Sequence, residues 1–145
     1  MMAKTMQLST FHVGELFLGV DLMQVQEVNR LQDLTPVPLA PSVVSGLINL
    51  RGQIVTALDL RERLGLPPRP QDAQPMSVVM RGEQGIRSFL VDSVGDVVDA
   101  DPDDFEPPPP TLMPLARELV RAVCKQTGRL LLIIDPARVM PGNGA

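Results

Sequence analysis

The amino-acid sequence predicts an all-β protein built from two small β-barrels. The first observation is a spacing that occurs four times: a glycine is followed seven residues later by an aspartate, with a mostly apolar run between them (Gly14 and Asp21, Gly52 and Asp59, Gly85 and Asp92, Gly128 and Asp135). Each repeat indicates a turn glycine, a strand that crosses the core and an aspartate that caps the next helical turn. Two repeats precede the Pro-rich stretch 67–75 and two follow it, which predicts two similar halves. The second observation is that the strands are short and the turns tight, a pattern typical of small barrels, which leave no strand edge exposed.

Composition limits the size and the chemistry of the core. A chain of 145 residues forms one domain or two very small ones. Hydrophobic residues make up 44%, but aromatic residues only 3%, without Trp or Tyr, so the predicted core consists of Val, Leu, Ile and Met. A net charge of -4 and only four phenylalanines supply neither the positive field nor the stacking platforms of nucleic-acid binding. This disfavours the rival hypothesis of a nucleic-acid-binding barrel.

The sequence carries no pattern that indicates export or membrane insertion. The N-terminus lacks an apolar stretch of signal-peptide length. The longest apolar run, residues 130–134, is far shorter than the ~20 residues of a membrane-spanning helix. One cysteine excludes an internal disulfide, which fits a reducing compartment. We therefore expect a cytoplasmic protein without membrane insertion, connected to a membrane only through a partner.

The chain begins with a predicted hairpin. Strands over residues 7–13 and 16–20 flank a turn at Gly14-Glu15. Asp21 is a predicted N-cap, and residues 22–28 are expected to form a helical turn that runs into a strand. An extended loop follows, because the three prolines of segment 35–41 remove backbone donors.

The stretch 46–59 predicts a second, buried hairpin. Two apolar runs lie on either side of the polar Arg51-Gly52-Gln53, and Gly52 accepts the positive φ of a tight turn. Arg51 is therefore expected at the tip of the hairpin. Asp59 is a predicted cap for a short helix over 60–64, and the Pro-rich stretch 67–75 is the candidate linker between the halves.

The second half repeats this pattern. Strands are predicted over 77–80, 86–91 and 129–134, and the acidic, Pro-rich residues 99–110 are expected to be irregular. Segment 112–123 has the composition of a helix, but its last part has the composition of a strand, which the turn and strand after it favour. Asp135-Pro136 predicts a final helical turn, with proline in the favoured first position.

No catalytic or metal-binding cluster is found in the sequence. His12 is the only histidine, which excludes a His-paired nucleophile and a His-rich metal site, and Cys124 lies in an apolar run typical of a buried cysteine. Asp99, Asp101 and Asp103 begin like a calcium loop, but the sixth position is not glycine and the twelfth is not glutamate. No phosphate-binding loop occurs. We therefore expect no enzymatic activity, no cofactor and no metal, and the rival hypothesis of a detached catalytic domain is disfavoured.

Four segments carry a resemblance to a known family. Gly-Leu-Ile-Asn-Leu-Arg-Gly-Gln-Ile-Val-Thr-Ala-Leu-Asp-Leu at 46–60 closely resembles the central motif of the CheW family, the coupling proteins of bacterial chemotaxis-type signalling. Residues 23–28 are similar to the family's segment before the proline loop, residues 90–97 to its second-half motif and residues 128–135 to its last strand. The resemblance covers about residues 7–140, with the motifs in order.

The resemblance implies a fold and an adaptor function. The expected fold is a single CheW-like domain over residues 1–145 with two SH3-like five-stranded barrels, the first about 7–66 and the second about 76–140, and an exchange of terminal strands between the barrels is left open. Such proteins act without catalysis in two-component signalling. They link the cytoplasmic tips of methyl-accepting chemoreceptors to the regulatory domain of the histidine kinase CheA, and they also associate with other CheW-like domains. The resemblance thus places the chain in the cytoplasm, at membrane receptor arrays.

The family motifs also imply binding residues. Val25, Glu27 and Arg51 match positions for receptor or kinase contact, and Val94 and Val97 match the far side of a receptor groove between the barrels. From the residues alone, Arg51 is better explained as a solvated turn arginine, and Glu27 equally well as an exposed charge or as a carboxylate for a partner. Val25 and Val97 are explained either by core packing or by an exposed apolar groove. The family often has a tyrosine where this chain has Phe17-Leu18, and adaptors of non-flagellar systems, which control pili, second messengers or development, are the alternative within the family.

Overall fold

The computed structural model describes residues 5–31, 33–83 and 85–140. Ten strands lie within these residues: β1 (Met6–Val13), β2 (Leu16–Asp21), β3 (Val25–Arg30), β4 (Val44–Leu50), β5 (Gln53–Asp59), β6 (Met76–Gly82), β7 (Gly85–Val91), β8 (Ser93–Ala100), β9 (Val120–Gln126) and β10 (Arg129–Ile134). Helices are short: α1 (Leu60–Arg63), α2 (Pro114–Leu119) and the 3-10 helices Leu22–Gln24, Pro102–Asp104 and Pro136–Arg138. None of the described helices is long and apolar enough to cross a membrane.

The strands form two five-stranded sheets. The first sheet has the order β8-β1-β2-β10-β9 and the second the order β3-β6-β7-β5-β4. Each sheet contains two antiparallel hairpins joined through one parallel pair, β2 with β10 in the first sheet and β5 with β7 in the second. The predicted all-β fold, with two five-stranded units and short helical turns, is confirmed.

Each sheet contains two strands from one half of the chain and three from the other. β3 follows the β1–β2 hairpin but pairs with β6, and β8 follows the β6–β7 hairpin but pairs with β1. Each sheet therefore takes strands from both sides of segment 67–75. A division into residues 7–66 and 76–140 does not describe this pairing, because both parallel pairs join hairpins from opposite sides of segment 67–75.

The four glycine-to-aspartate repeats have the predicted turns and three of the four predicted caps. Gly14, Gly52, Gly85 and Gly128 have φ of 59°, 87°, 97° and 78°. Asp21, Asp59 and Asp135 each accept a hydrogen bond from the backbone N–H two residues later. The cap predicted for Asp92 is wrong, because β8 begins at the next residue and no helical turn follows.

Asp92 instead joins the two sheets and segment 67–75. One carboxylate oxygen accepts from the Gly14 N–H at 2.7 Å, and Arg61 and Arg69 donate to the same carboxylate. Arg69 also reaches Asp59, so the predicted linker is fastened across both sheets. Burial would raise the pKa of Asp92, but the hydrogen bonds from Arg61, Gly14 and Arg69 outweigh it and lower that pKa to about 2.

The main core lies between the sheets. Its residues come from both sheets, α1 and α2, and its largest members, Phe11 and Phe89, are almost completely buried. A smaller cluster around Leu8, Phe17 and Leu131 lies on the first sheet alone. As expected, nearly all other core side chains are aliphatic.

The second half differs from the sequence prediction in one strand. β8 occupies residues for which the sequence predicts no strand. It ends at Ala100, within the acidic segment that was expected to be irregular. Its pairing with β1 supplies the hydrogen bonds that local sequence does not reveal. The strand predicted for the last part of segment 112–123 is confirmed, because α2 ends at Leu119 and β9 begins at Val120.

Candidate protein-binding site

Arg51 lies at the tip of the β4–β5 hairpin in a strained backbone conformation. The loop consists of Arg51 and Gly52, with φ of 53° and 87°, between the paired residues Leu50 and Gln53. Positive φ at both positions is the geometry of a type I′ turn, which normally favours asparagine followed by glycine. The Asn49 side chain accepts from the Gly52 N–H at 2.8 Å and supports the turn. An arginine in this position costs backbone energy, and such strain is concentrated at functional sites.

Glu27 holds the Arg51 guanidinium from the opposite edge of the same sheet. Nη1 donates to Oε2 at 2.5 Å and Nη2 donates to Oε1 at 3.1 Å, so the pair is bidentate. Asn29, two residues further on β3, donates to Glu27 Oε1 at 2.8 Å. The Glu27 side chain is 19% exposed and the Arg51 side chain 74%. Glu27 is thus largely occupied within the protein, whereas Arg51 faces solvent.

The ion pair fixes the charge of both groups. The hydrogen bond from Arg51 holds the pKa of Glu27 below its usual value, although partial desolvation acts in the opposite direction. The same hydrogen bond raises the pKa of Arg51. Both side chains therefore stay ionised at neutral pH, and the guanidinium keeps donors beyond the two groups that Glu27 occupies.

Val94 and Val97 lie on the same face of the first sheet because of a β-bulge. Val94 pairs with Phe11 and Val97 with Ser9, so two β8 residues, Gly95 and Asp96, stand opposite one β1 residue. Residues two apart on β1 point to one face, and their partners on β8 therefore do the same. Without the bulge, two residues three apart on a strand would point to opposite faces.

A glycine makes this bulge compatible with the neighbouring strand. A Cβ atom at Gly95 would lie 2.6 Å from Thr10 Oγ1, which is closer than real contacts allow. The Thr10 hydroxyl itself donates to the Asp96 carbonyl oxygen at 2.5 Å. The missing side chain at Gly95 leaves room for Thr10, and the hydrogen bond holds the two strands together at the bulge.

The three predicted valines differ in exposure. Val25 on β3 and Val94 on β8 are half-buried and pack against the core between the sheets. Val97 is 50% exposed, so it is the valine with most surface to offer a partner. Core packing thus accounts for the buried part of the Val25 and Val94 side chains, whereas Val97 contributes to an exposed apolar surface.

The structure brings the predicted residues together in two groups. Glu27 and Arg51 form one bonded unit on the edges of the second sheet, and Val94 and Val97 share a face of the first sheet. Val25 belongs to neither group. It lies on β3, as Glu27 does, but it packs against the same core as Val94. Asn29 and Gly95 were missed, although the two-residue spacing of Asn29 from Glu27 on one strand face was a visible signal.

The contacts of His12 and Cys124 are packing contacts within the fold. The His12 ring stacks on Phe17 at 5.1 Å and lies 3.0 Å from Arg129 Nη1. Cys124 is buried in the smaller core cluster. Neither residue belongs to the two groups above.

Comparison with known proteins agrees with the geometry. The model of the family described as CheW-like domain matches residues 7–142. A chemotaxis protein CheW of Rhizobium meliloti is 30% identical over 137 residues, which cover 94% of this chain and 88% of that protein. A chemotaxis protein CheW of Treponema pallidum is 29% identical over 133 residues, covering 89% and 78%. The crystal structure of the scaffolding protein TtCheW from Thermoanaerobacter tengcongensis superposes with a TM-score of 0.85 at 27% identity, covering 98% of this chain and 97% of that one.

Proposed function

The chain belongs to the CheW family of chemotaxis scaffolding proteins, and from this premise we propose that it couples chemoreceptors to a CheA-type histidine kinase. In this proposal one surface binds the cytoplasmic tip of a methyl-accepting receptor and another binds the regulatory domain of the kinase. The protein acts by holding its partners in place and not by catalysis. It works in the cytoplasm, and it reaches the membrane-bound receptor array through these partners.

The observation that carries the proposal is the exposed, strained Arg51. A solvated turn has no need for an arginine at positive φ, since glycine or asparagine fits there without strain. Arginine is enriched among the residues that dominate binding energy at interfaces, where it donates several hydrogen bonds in a fixed plane. The Glu27 carboxylate orients this plane from within the protein. A partner carboxylate or carbonyl group can therefore bind the remaining N–H groups of Arg51 without displacing Glu27.

The valines supply the apolar part of the proposed surface. Val97 is exposed, and Val25 and Val94 each leave part of their side chain uncovered at the border of the core. Receptor helices that present one apolar face are recognised by grooves of this kind. Two sheets that share one core form a stiff support, so a helix bound here keeps a fixed orientation relative to the kinase domain.

A bridging assay tests this function. A receptor-tip fragment from the same organism is immobilised, and the kinase regulatory domain is added with or without the chain. We expect the kinase domain to be retained only when the chain is present. Arg51→Glu should lower retention at least tenfold, because it removes the donors and places a second carboxylate beside Glu27.

Arg121→Glu is the matched control, since Arg121 is an exposed arginine on β9 of the other sheet. It makes the same charge change and should leave retention within twofold of the unmodified chain. Circular dichroism establishes that both variants are folded. A folded Arg51→Glu variant that retains the kinase domain as well as Arg121→Glu does would show that Arg51 is a turn residue only.

A further inference from the structure

A cavity of about 420 Å³ opens between the β6–β7 turn and the 3-10 helix Pro136–Arg138. Its lining includes Met80 and Phe89, which belong to the core between the sheets, together with Arg87 and Gln24. The volume corresponds to about 14 water molecules at ~30 Å³ each. The cavity lies within the size range of ligand sites, and its lining combines apolar groups with a few polar ones.

Arg87 occupies a position where the fold calls for an apolar residue. On β7, residues two apart share a face, so Arg87 continues the row of Phe89 and Val91, both buried in the core. Arg87 is itself half-buried. None of the ion pairs between described residues includes it. A guanidinium partly removed from water without a carboxylate is unfavourable for the free protein, and such breaks of the local pattern are expected at functional positions.

The acidic residues around the cavity are engaged elsewhere or lie at its rim. Asp135 accepts from the Ala137 N–H at 3.1 Å and lies 3.4 Å from Arg138 Nε. Glu83 lies on the exposed turn between β6 and β7. The cavity thus presents the half-buried Arg87 cation together with the accessible apolar residues Pro136 and Ala137. This combination fits a carboxylate attached to an apolar group.

We propose that this cavity binds a glutamate side chain, flanked by an apolar residue, of a partner protein. Arg87 binds the carboxylate, and Pro136 and Ala137, which are the accessible apolar residues of the lining, contact the apolar neighbour. The occupant is assigned to a partner protein because Val25 pairs with Met80 of the cavity lining, so the cavity adjoins the candidate binding residues on β3. In this respect the proposal rests on the adaptor function proposed above.

A peptide titration tests the cavity without any signalling partner. The ¹⁵N-labelled full chain is titrated with acetyl-Leu-Glu-Leu-amide and with its neutral counterpart acetyl-Leu-Gln-Leu-amide, and amide chemical shifts are followed by NMR. The glutamate peptide should shift the resonances of Gly82, Gly85 and Ala137 and bind about tenfold more tightly, which corresponds to about 1.4 kcal/mol. Equal affinity of the two peptides, or shifts confined to other parts of the chain, would overturn the proposal.

Variants of the cavity make the test specific. Arg87→Leu should abolish the preference for the glutamate peptide, and Arg87→Lys, which keeps the charge but not the planar fork, should retain part of it. Arg121→Leu, at an exposed arginine of β9 outside the cavity lining, is the control and should keep the full preference. Butyrate serves as a free small acid, and binding as tight as that of the glutamate peptide would assign the cavity to small acids and contradict a protein partner.

The same variants separate this proposal from the adaptor function. In the bridging assay Arg87→Leu should lower retention of the kinase domain at least threefold relative to Arg121→Leu. If the peptide preference is absent while the unmodified chain bridges receptor and kinase, the cavity proposal fails and the adaptor function stands. If the preference is present but no bridging occurs, the adaptor function fails and the cavity remains a carboxylate site.

Discussion

Replacement of Arg51 by asparagine should stabilise the fold while it weakens partner binding. Arg51 has φ of 53°, where a residue with a Cβ atom and a long side chain costs ~1–2 kcal/mol of backbone energy. Asparagine is several-fold enriched in this region, and asparagine followed by glycine is the preferred pair for a type I′ turn. The substitution therefore relieves most of the strain, but it also removes the ion pair with Glu27.

A four-variant comparison separates these two effects. Arg51→Asn is made in the unmodified chain and in a Glu27→Ala background, in which no ion pair remains to be lost. In that background we expect a gain of about 1 kcal/mol in the free energy of unfolding, or about 3 °C in Tm for a chain of this size. In the unmodified chain the gain should be smaller, and the difference between the two backgrounds reports the contribution of the pair.

Thermal unfolding by calorimetry measures the stability, and the bridging assay measures the function. The Tm of Arg51→Asn should equal or exceed that of the unmodified chain. Its retention of the kinase domain should fall at least tenfold. A fall of Tm in the Glu27→Ala background would refute the assignment of strain to the turn. Undiminished retention with asparagine at position 51 would refute the binding role of the arginine.

Two further predictions concern the connection between the sheets and the bulge on β8. Because the pKa of Asp92 is lowered to about 2 in the folded protein from 3.8, its contribution is fully present above pH ~4 and is lost as the pH falls towards 2. The difference in free energy of unfolding between the unmodified chain and Asp92→Asn should shrink by about 1–2 kcal/mol between pH 6 and pH 2. This range allows for solvent at a side chain that is 21% exposed. Urea unfolding at both pH values measures the difference, and a constant value would contradict the assigned interactions. Gly95→Ala should cost about 1–3 kcal/mol, because the new methyl group meets buried Thr10, and it should weaken receptor binding by turning Val94 and Val97 away from their common face. Adding Thr10→Ala should restore part of the stability lost in Gly95→Ala, and its failure to do so would show that the close contact is not the cause.

The local parts of the fold could be predicted from the sequence because their causes are local. Turn glycines, apolar runs and capping aspartates lie within a few residues of one another, so the hairpins and the caps at Asp21, Asp59 and Asp135 follow from spacing. The assembly of the hairpins could not be predicted in this way. The parallel pairing of β2 with β10 joins residues more than a hundred positions apart, and the apolar runs that compete for each place are alike.

The candidate site could also be predicted only where its causes are local in sequence. Arg51 could be placed at a hairpin tip from Gly52 alone, and the family motif added Glu27, but their bond depends on how the two edges of one sheet come together. The common face of Val94 and Val97 depends on a bulge that a single extra residue creates. Asp92 was assigned a cap by analogy with its three counterparts, and its actual partners become visible only when the sheets are joined.

Retention of the kinase domain by the immobilised receptor fragment is the most direct test of the adaptor function. With the unmodified chain present, the account predicts that kinase domain and chain are retained together in similar molar amounts, and that omission of the chain reduces the kinase domain to background. Retention of the chain without the kinase domain, or of the kinase domain without the chain, would contradict the claim that this protein couples the two.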